Sequence, residues 1–377
     1  MTAERYYKPE LDILRLCAFL FVFFTHRMDL APIDPDKYYW EHHLSLVGVF
    51  GVPLFFLSAF LITELLTKEN DQFGKISIQS FYIRRILRIW PLYFTFFFGM
   101  VLITQFTDLF GHITPNTQLA FSLFSGNWYI TFHHWLPSYP INPLWSISVE
   151  EQLYILLPLA IFYTGKKGLK VFAFVALAAA YLAILYYSRK PTQGFSGEWT
   201  NSFVQFQFFS AGMLLSIYMK GWQPGWPFAA RFVLFIAGLI CWLIASIVCE
   251  VHADSPHTST TLQAIIGWLL ILSGVILFFL SLYGAPQKYM PCTLAYLGRI
   301  SYGMYIFHIT MFWIIYHIFK NELASFSNMI GLAEWKNEVG FVIAFVATLL
   351  IALLSYRFLE KPFLRLKRRF TFIPSRD

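Results

Sequence analysis

The sequence predicts an all-α, polytopic membrane protein, and three observations predict it. Of its 377 residues, 57% are hydrophobic and 13% are charged, and the mean hydropathy is +0.56. A soluble domain carries about 25% charge, so an ordinary soluble enzyme, a disordered tail and a nucleic-acid binder are all excluded. Second, ten stretches reach the roughly 20 mostly apolar residues that a helix needs to cross the hydrocarbon core: 11–30, 44–66, 89–107, 147–164, 170–188, 201–219, 230–250, 262–283, 293–319 and 339–359. Third, the basic residues between these stretches are distributed unevenly. A single membrane domain over 1–377 is expected, because the longest gap, Gln105 to Ser146, is too short for a further domain and only 360–377 follow the last span. Glu10, Asp12 and Arg15 interrupt what would be the apolar core of a signal peptide, and no small-x-small cleavage pattern follows, so the first span is expected to remain.

The first span reads Leu11-Asp12-Ile13-Leu14-Arg15 and ends at His26. Arg15 and His26, eleven residues apart, are three turns plus about 20° around a helix and about 16 Å along it. One face therefore carries a permanent cation at one depth and a potential base at the other. A snorkelling arginine with an interfacial histidine is the alternative reading. The second span contains the run Gly51 to Thr63. The third begins Arg84-Arg85-Ile86-Leu87-Arg88 and continues to Trp90-Pro91-Leu92-Tyr93. Arg84 and Arg88 are i,i+4 and Arg85 and Arg88 are i,i+3, so all three can flank one groove. Arginine suits bidentate phosphate recognition, although a basic cluster at an inner leaflet has the same look.

The fourth span opens with Trp145, Ser146, Ser148, Glu150, Glu151, Gln152 and Tyr154. One carboxylate is explained by the helix dipole and an N-cap at Ser146 or Ser148. The density of polar and aromatic groups asks for more: Glu150 could orient His26, in the manner of a His–Asp pair. Spans 170–188, 201–219, 230–250 and 262–283 carry no comparable constellation. Cys241 and Cys249, eight residues and about 12 Å apart on one helix, are too distant for a disulfide. Cys17 and Cys292 likewise read as packing thiols. In the ninth span Ser301, Tyr305 and His308 fall at i, i+4 and i+7, one polar stripe suited to helix–helix hydrogen bonding or to substrate lining. The tenth ends Ser355-Tyr356-Arg357 and is stopped before Pro362.

With the N-terminus inside, only Arg27, Lys37, Arg189, Lys190, Lys320 and Lys336 of the 28 basic residues lie outside, leaving 22 inside. The positive-inside rule then predicts cytoplasmic termini at both ends and an even number of spans. The net charge of +7 mostly reports this topology. The adjacent pairs His42-His43 and His133-His134 point apart, and no metal site is expected. There is no P-loop, dinucleotide glycine fingerprint, Gly-x-Ser-x-Gly, repeat or low-complexity tract. Nothing specifies an oligomeric state.

In order and content these blocks resemble acyltransferase family 3, the polytopic bacterial acyltransferases of surface glycans and related glycosides. The resemblance rests on Leu11 to Arg15 with His26 (the family's Arg-x10-His), Gly51 to Thr63, Arg84 to Tyr93 and Trp145 to Tyr154, with weaker echoes at Leu297 to His308 and Tyr356 to Phe363. Ala59 stands where the family usually has glycine after the serine. The extracytoplasmic hydrolase-like domain that the family often carries is not expected here, so transfer would be completed by the membrane domain or with a partner.

The resemblance implies a bacterial inner-membrane O-acyltransferase with no covalently bound cofactor. Its donor would be a cytoplasmic acyl-CoA, acetyl-CoA by the family's commonest choice, and its acceptor a glycan or glycoside hydroxyl. On this reading Arg15, Arg84, Arg85 and Arg88, with Tyr93, hold donor phosphates. His26 acts as general base or acyl carrier with Glu150 beside it, and Asp12, Trp145, Ser148, Gln152, Tyr154, Ser301, Tyr305 and His308 line the substrate path. Its partners are the bilayer, the donor and the acceptor, not nucleic acid. Two rivals stay open: a transporter of a glycan or small molecule, disfavoured by the lack of an inverted repeat, and a different polytopic acyltransferase acting on lipid or protein.

Overall fold

The computed structural model describes residues 7–30, 36, 38–190, 197–253 and 260–372. Arg5, Lys37 and Arg376, counted above among the sided charges, lie outside them. The described residues form fifteen α-helices with short 3₁₀ and π segments and no strand. In order these are α1 (Pro9–Leu30), α2 (Tyr39–Gly48), α3 (Phe56–Phe73), α4 (Ile78–Ile103), α5 (Pro115–Ser122), α6 (Gly126–His133), α7 (Leu144–Arg189), α8 (Gly197–Thr200), α9 (Ser202–Met219), α10 (Phe228–Ile247), α11 (Thr261–Leu282), α12 (Cys292–Trp313), α13 (Lys320–Met329), α14 (Lys336–Ser355) and α15 (Lys361–Lys367). Hydrocarbon offers backbone groups no hydrogen-bond partner, which is why apolar stretches of this length become helices. Some helix starts carry side-chain caps: Ser77 accepts from the Ser80 amide, and Thr260 and Gln263 form a reciprocal capping box.

A helix occupies each of the ten expected stretches, but the count of spans differs. Among the described residues seven segments are long and apolar enough to cross a membrane, or eight if α12 and α13, bent by 77° where they meet, form one broken span. The stretches 147–164 and 170–188 merge into the 46-residue α7, which turns at Gly165 (φ 61°, ψ −163°), a conformation open to glycine. Helix α1 is long enough, but Asp12, Arg15 and Arg27 keep it from being a plain apolar span. Outward faces are apolar, with Val342, Val346, Leu350 and Leu354 exposed at four-residue intervals along α14, as a lipid-facing stripe requires. The chain is thus a multi-pass membrane protein.

Helices α1 and α12 run side by side in the same direction. Their contacts climb from Asp12–Gly298 to His26–His308. A Cβ on Gly298 would stand 1.9 Å from the Asp12 carbonyl oxygen, so glycine sets how closely the two helices approach. Ala59 is fully buried where α3 meets Gly212 of α9, whose missing side chain gives its methyl room. All four cysteines are free thiols.

Bonds between elements define two ends of the bundle. At one, Lys166 pairs with Asp71 at 2.7 Å, Lys8 with Glu64 at 3.4 Å, and Arg84 donates to the Phe370 carbonyl at 2.7 Å. At the other, Arg27 joins Glu41 (2.7 Å) to Glu338 (2.5 Å), and Ser188 bonds Thr261 at 3.2 Å. Each of these contacts joins groups that the charge pattern assigns to the same side.

Candidate active site

The first end opens into a cavity of about 510 Å³ between α1, α3, α4, α7, α12 and the chain around α15. Eight basic residues line it, Lys8, Arg15, Arg84, Arg85, Arg88, Arg299, Lys367 and Arg368, against three acidic ones, Asp12, Glu69 and Glu150. The excess is local, and it is only partly met by carboxylates on the wall. Arg15 pairs with Asp12 at 2.9 Å and Arg84 with Glu69 at 3.3 Å. Arg299 donates to the Tyr7 hydroxyl at 3.1 Å. Burial draws the Lys8 ammonium, ahead of the first span, below the ordinary lysine range, and Glu64 and Glu10 oppose that shift.

Arg85 lies between the ring faces of Phe81 (5.4 Å) and Tyr154 (5.2 Å), and its buried Nε has no hydrogen-bond partner among the described residues. Neither the Arg88 guanidinium nor the Lys367 ammonium makes a hydrogen bond or ion pair among the described residues, although both residues line the cavity. Three cations with donors to spare around one cavity can offer charge-assisted hydrogen bonds to a multiply charged anion.

The arginines of the first and third spans therefore meet in one place, from helices whose sequence positions are about 70 residues apart. Asp12, Glu150, Tyr154, Ser301 and Tyr305 join them on the wall. The Tyr154 hydroxyl donates to the Glu150 carboxylate. At the deep end, beside Phe19 and Val22, the Tyr305 hydroxyl meets Ser146 Oγ at 2.8 Å and donates to the Pro143 carbonyl at 3.2 Å. Helix α7 begins at Leu144 with Pro143 at its cap, so neither Ser146 nor Ser148 caps it; two prolines and Asn142 at the entry start the helix earlier than the serines suggest.

Other residues singled out by sequence lie away from the wall. Tyr93 is fully buried and donates to the Phe121 carbonyl at 2.8 Å. Trp145 is buried near Trp199, with ring centroids 6.5 Å apart. Ser148 turns its hydroxyl to the Leu144 carbonyl at 3.4 Å. Gln152 uses both ends of its amide in packing: it donates to the Phe124 carbonyl and Asn127 Oδ1, both at 2.9 Å, and accepts from Ser202 (2.6 Å) and Trp128 (3.3 Å). His26 and His308 stand just beyond the deep end, with ring centroids 5.1 Å apart. His308 is fully buried and its Nδ1 meets the Tyr305 carbonyl.

Lys8, Arg299, Lys367 and Arg368 read in the sequence only as inside charges. The run Tyr356 to Phe363 points to the element that brings Lys367 in, but no sequence spacing connects 367 to 88; tertiary packing does.

A family model described as an acyltransferase domain (Acyl_transf_3) matches residues 8–357. The chain is 26% identical over 389 residues to the peptidoglycan O-acetyltransferase OatA of Listeria monocytogenes, covering 95% of this chain and 56% of that protein. It is 24% identical to the putative peptidoglycan O-acetyltransferase YrhL of Bacillus subtilis, covering 96% and 55%. A putative O-acetyltransferase of Staphylococcus aureus is 23% identical, with 95% and 57% covered. The chain thus spans a little over half the length of the curated relatives it matches. No solved structure matches.

Proposed function

The chain belongs to the Acyl_transf_3 family of acyltransferase domains, and from that premise we propose that it is a membrane O-acyltransferase moving an acetyl group from acetyl-CoA to a hydroxyl of a cell-surface or exported glycan. The relatives' named activity on peptidoglycan makes an amino-sugar glycan the first acceptor to try. The observation that carries the reading is the convergence of Arg85, Arg88 and Lys367, each with uncommitted donors, on one cavity. CoA bears its charge on a phosphate and a diphosphate, and this cavity presents guanidinium groups suited to both. The basic end then faces the cytoplasm of a bacterial cell, where the donor is made, and the membrane is the cytoplasmic one.

In this reading the phosphates anchor among the arginines and the pantetheine arm runs along α1 toward His26. Arg15 and His26 stand about 16 Å apart along the helix, a distance that an extended arm bridges. His26 takes the proton of the acceptor hydroxyl. The oxygen attacks the thioester carbonyl, the carbon–sulfur bond breaks, and the departing thiolate takes the proton back from the imidazolium. Glu150, bonded to Tyr154 on the wall, contributes negative charge next to the cations that orient the donor.

The test is release of free CoA from acetyl-CoA by the purified protein in nanodiscs, with and without a β-1,4-linked N-acetylglucosamine oligosaccharide. Acceptor-stimulated release that His26→Ala abolishes is the expected result. Full transfer by a folded His26→Ala protein rejects both the base and the acyl-carrier roles, and glycan movement without thioester consumption favours a transporter.

A further inference from the structure

The cations of the cavity lie at two depths. Asp12 of α1 meets Gly298 of α12, and Tyr302, one turn deeper on α12, donates to the Ile89 carbonyl of α4 at 2.9 Å. Arg15, nearly one turn beyond Asp12, and Arg88, next to Ile89, therefore share a level. The mouth is nearer the start of α4. There Glu69 accepts from the Ser77 amide at 2.8 Å, and the rings of Phe73 and Phe372 lie 6.0 Å apart. Arg84 stands one turn, about 6 Å, closer to this mouth than Arg88.

Lys367 belongs to the mouth level. The chain passes Glu360, whose carboxylate is 3.3 Å from where a Cβ on Gly303 would stand, and reaches Phe370, whose carbonyl accepts from Arg84 at 2.7 Å. It thus runs from the deeper level outward to the mouth, and Lys367 sits one turn short of Phe370. The other cations on that side are committed: Arg84 to Phe370 and Glu69, Lys8 to Glu64, and Arg299 to the Tyr7 hydroxyl. Arg368 is not free either. The Lys367 ammonium lines the cavity with all its donors to spare among the described residues. It also lies beyond residues 8–357, so the family match assigns it no role.

CoA carries its charge in two places: a diphosphate at the base of the pantetheine arm, and a phosphate monoester on the ribose 3′ oxygen, farther from the sulfur. Resting on the acetyl-CoA reading above, we propose that Lys367 is the specificity residue for the 3′-phosphate, while Arg15 and Arg88 hold the diphosphate one level deeper. Reach dictates the order. The thioester has to arrive at the depth of His26, about 16 Å along α1 from Arg15. The phosphates nearest the arm therefore take the deeper cations, and the monoester is left at the mouth. The chemistry agrees. A diphosphate offers paired oxygens to a guanidinium fork. The monoester concentrates close to two negative charges on one phosphorus, which suits the compact point charge of an ammonium. Helix α15 then supplies part of the donor site and not merely a packed tail.

Equilibrium binding of CoA and of 3′-dephospho-CoA to the full chain in nanodiscs tests this without turnover. The wild type should bind CoA about tenfold or more tighter than 3′-dephospho-CoA. Lys367→Gln should bring CoA down to the dephospho-CoA affinity and leave dephospho-CoA itself within about twofold of the wild type. Lys367→Arg, which keeps the charge, should retain most of the preference. Arg88→Gln should weaken both ligands by the same factor and preserve their ratio. A purely structural role for Lys367 would move both ligands together. Equal weakening of the two in folded Lys367→Gln, or a wild type that binds them equally, therefore overturns the 3′-phosphate assignment and leaves the donor cavity standing. A folded wild type that binds neither ligand overturns the acetyl-CoA reading itself.

Discussion

Two groups of arginines near the same end of the bundle have opposite surroundings. Arg231 is only 6% exposed, and all five of its guanidinium hydrogens are spoken for: it donates to the carbonyls of Trp226 (3.1 Å), Ser281 (3.2 Å), Tyr283 (2.9 Å), Pro224 (2.5 Å) and Gly284 (3.1 Å). It ties the start of α10 to the end of α11 and has nothing left for a ligand. Arg85 and Arg88 make no hydrogen bond among the described residues, yet they face a cavity with six other cations. A guanidinium saturated by backbone carbonyls is architecture; one with donors to spare beside a cavity is a candidate for binding. The same distinction applies to Arg27, which two carboxylates satisfy at the opposite end.

This contrast can be broken by substitution. The largest effect is expected at Arg231→Ala, which strands five carbonyls and should cost about 3 kcal/mol or more, read as a clear fall in the thermal midpoint in nanodiscs. Arg88→Ala should do the reverse: the midpoint holds or rises, because relieving a half-buried cation from like charges is not costly, while the acetyl-CoA KM climbs about tenfold or more for a lost charge-assisted contact of roughly 1.5–3 kcal/mol. Arg15→Lys should raise the donor KM less, severalfold, since lysine keeps the charge and loses the bidentate fork. Lys166→Ala, which removes a half-exposed pair with Asp71, should change stability by under about 1 kcal/mol and leave the donor KM unmoved. Equal donor effects at Arg231 and Arg88 would erase the distinction.

Much of this was legible in the residues themselves. The 57% apolar content and the spacing of the runs lead to the helices, and Arg15 with the three arginines of α4 leads to the basic cavity. Periodicity on one helix was enough for those, because the functional groups lie on the faces their own spacing defines. The span count was less legible: an apolar run does not reveal whether a glycine such as Gly165 turns the chain back or merely bends it. Tyr93, Trp145, Ser148 and Gln152 belong to the right blocks, yet they turn to neighbouring helices instead of the cavity wall, and a motif does not encode which way a residue turns. Lys367 and Arg299 were hidden for the opposite reason. Their importance comes from long-range packing that brings α12 and the chain around α15 against α4.

The central claim is that the basic cavity is the donor site. Its most direct test is equilibrium binding of CoA to the nanodisc-embedded chain, compared among the wild type, Arg88→Ala and Arg231→Lys. The account predicts saturable binding that Arg88→Ala weakens about tenfold or more and that folded Arg231→Lys leaves unchanged. Equal affinity in the wild type and Arg88→Ala would contradict it.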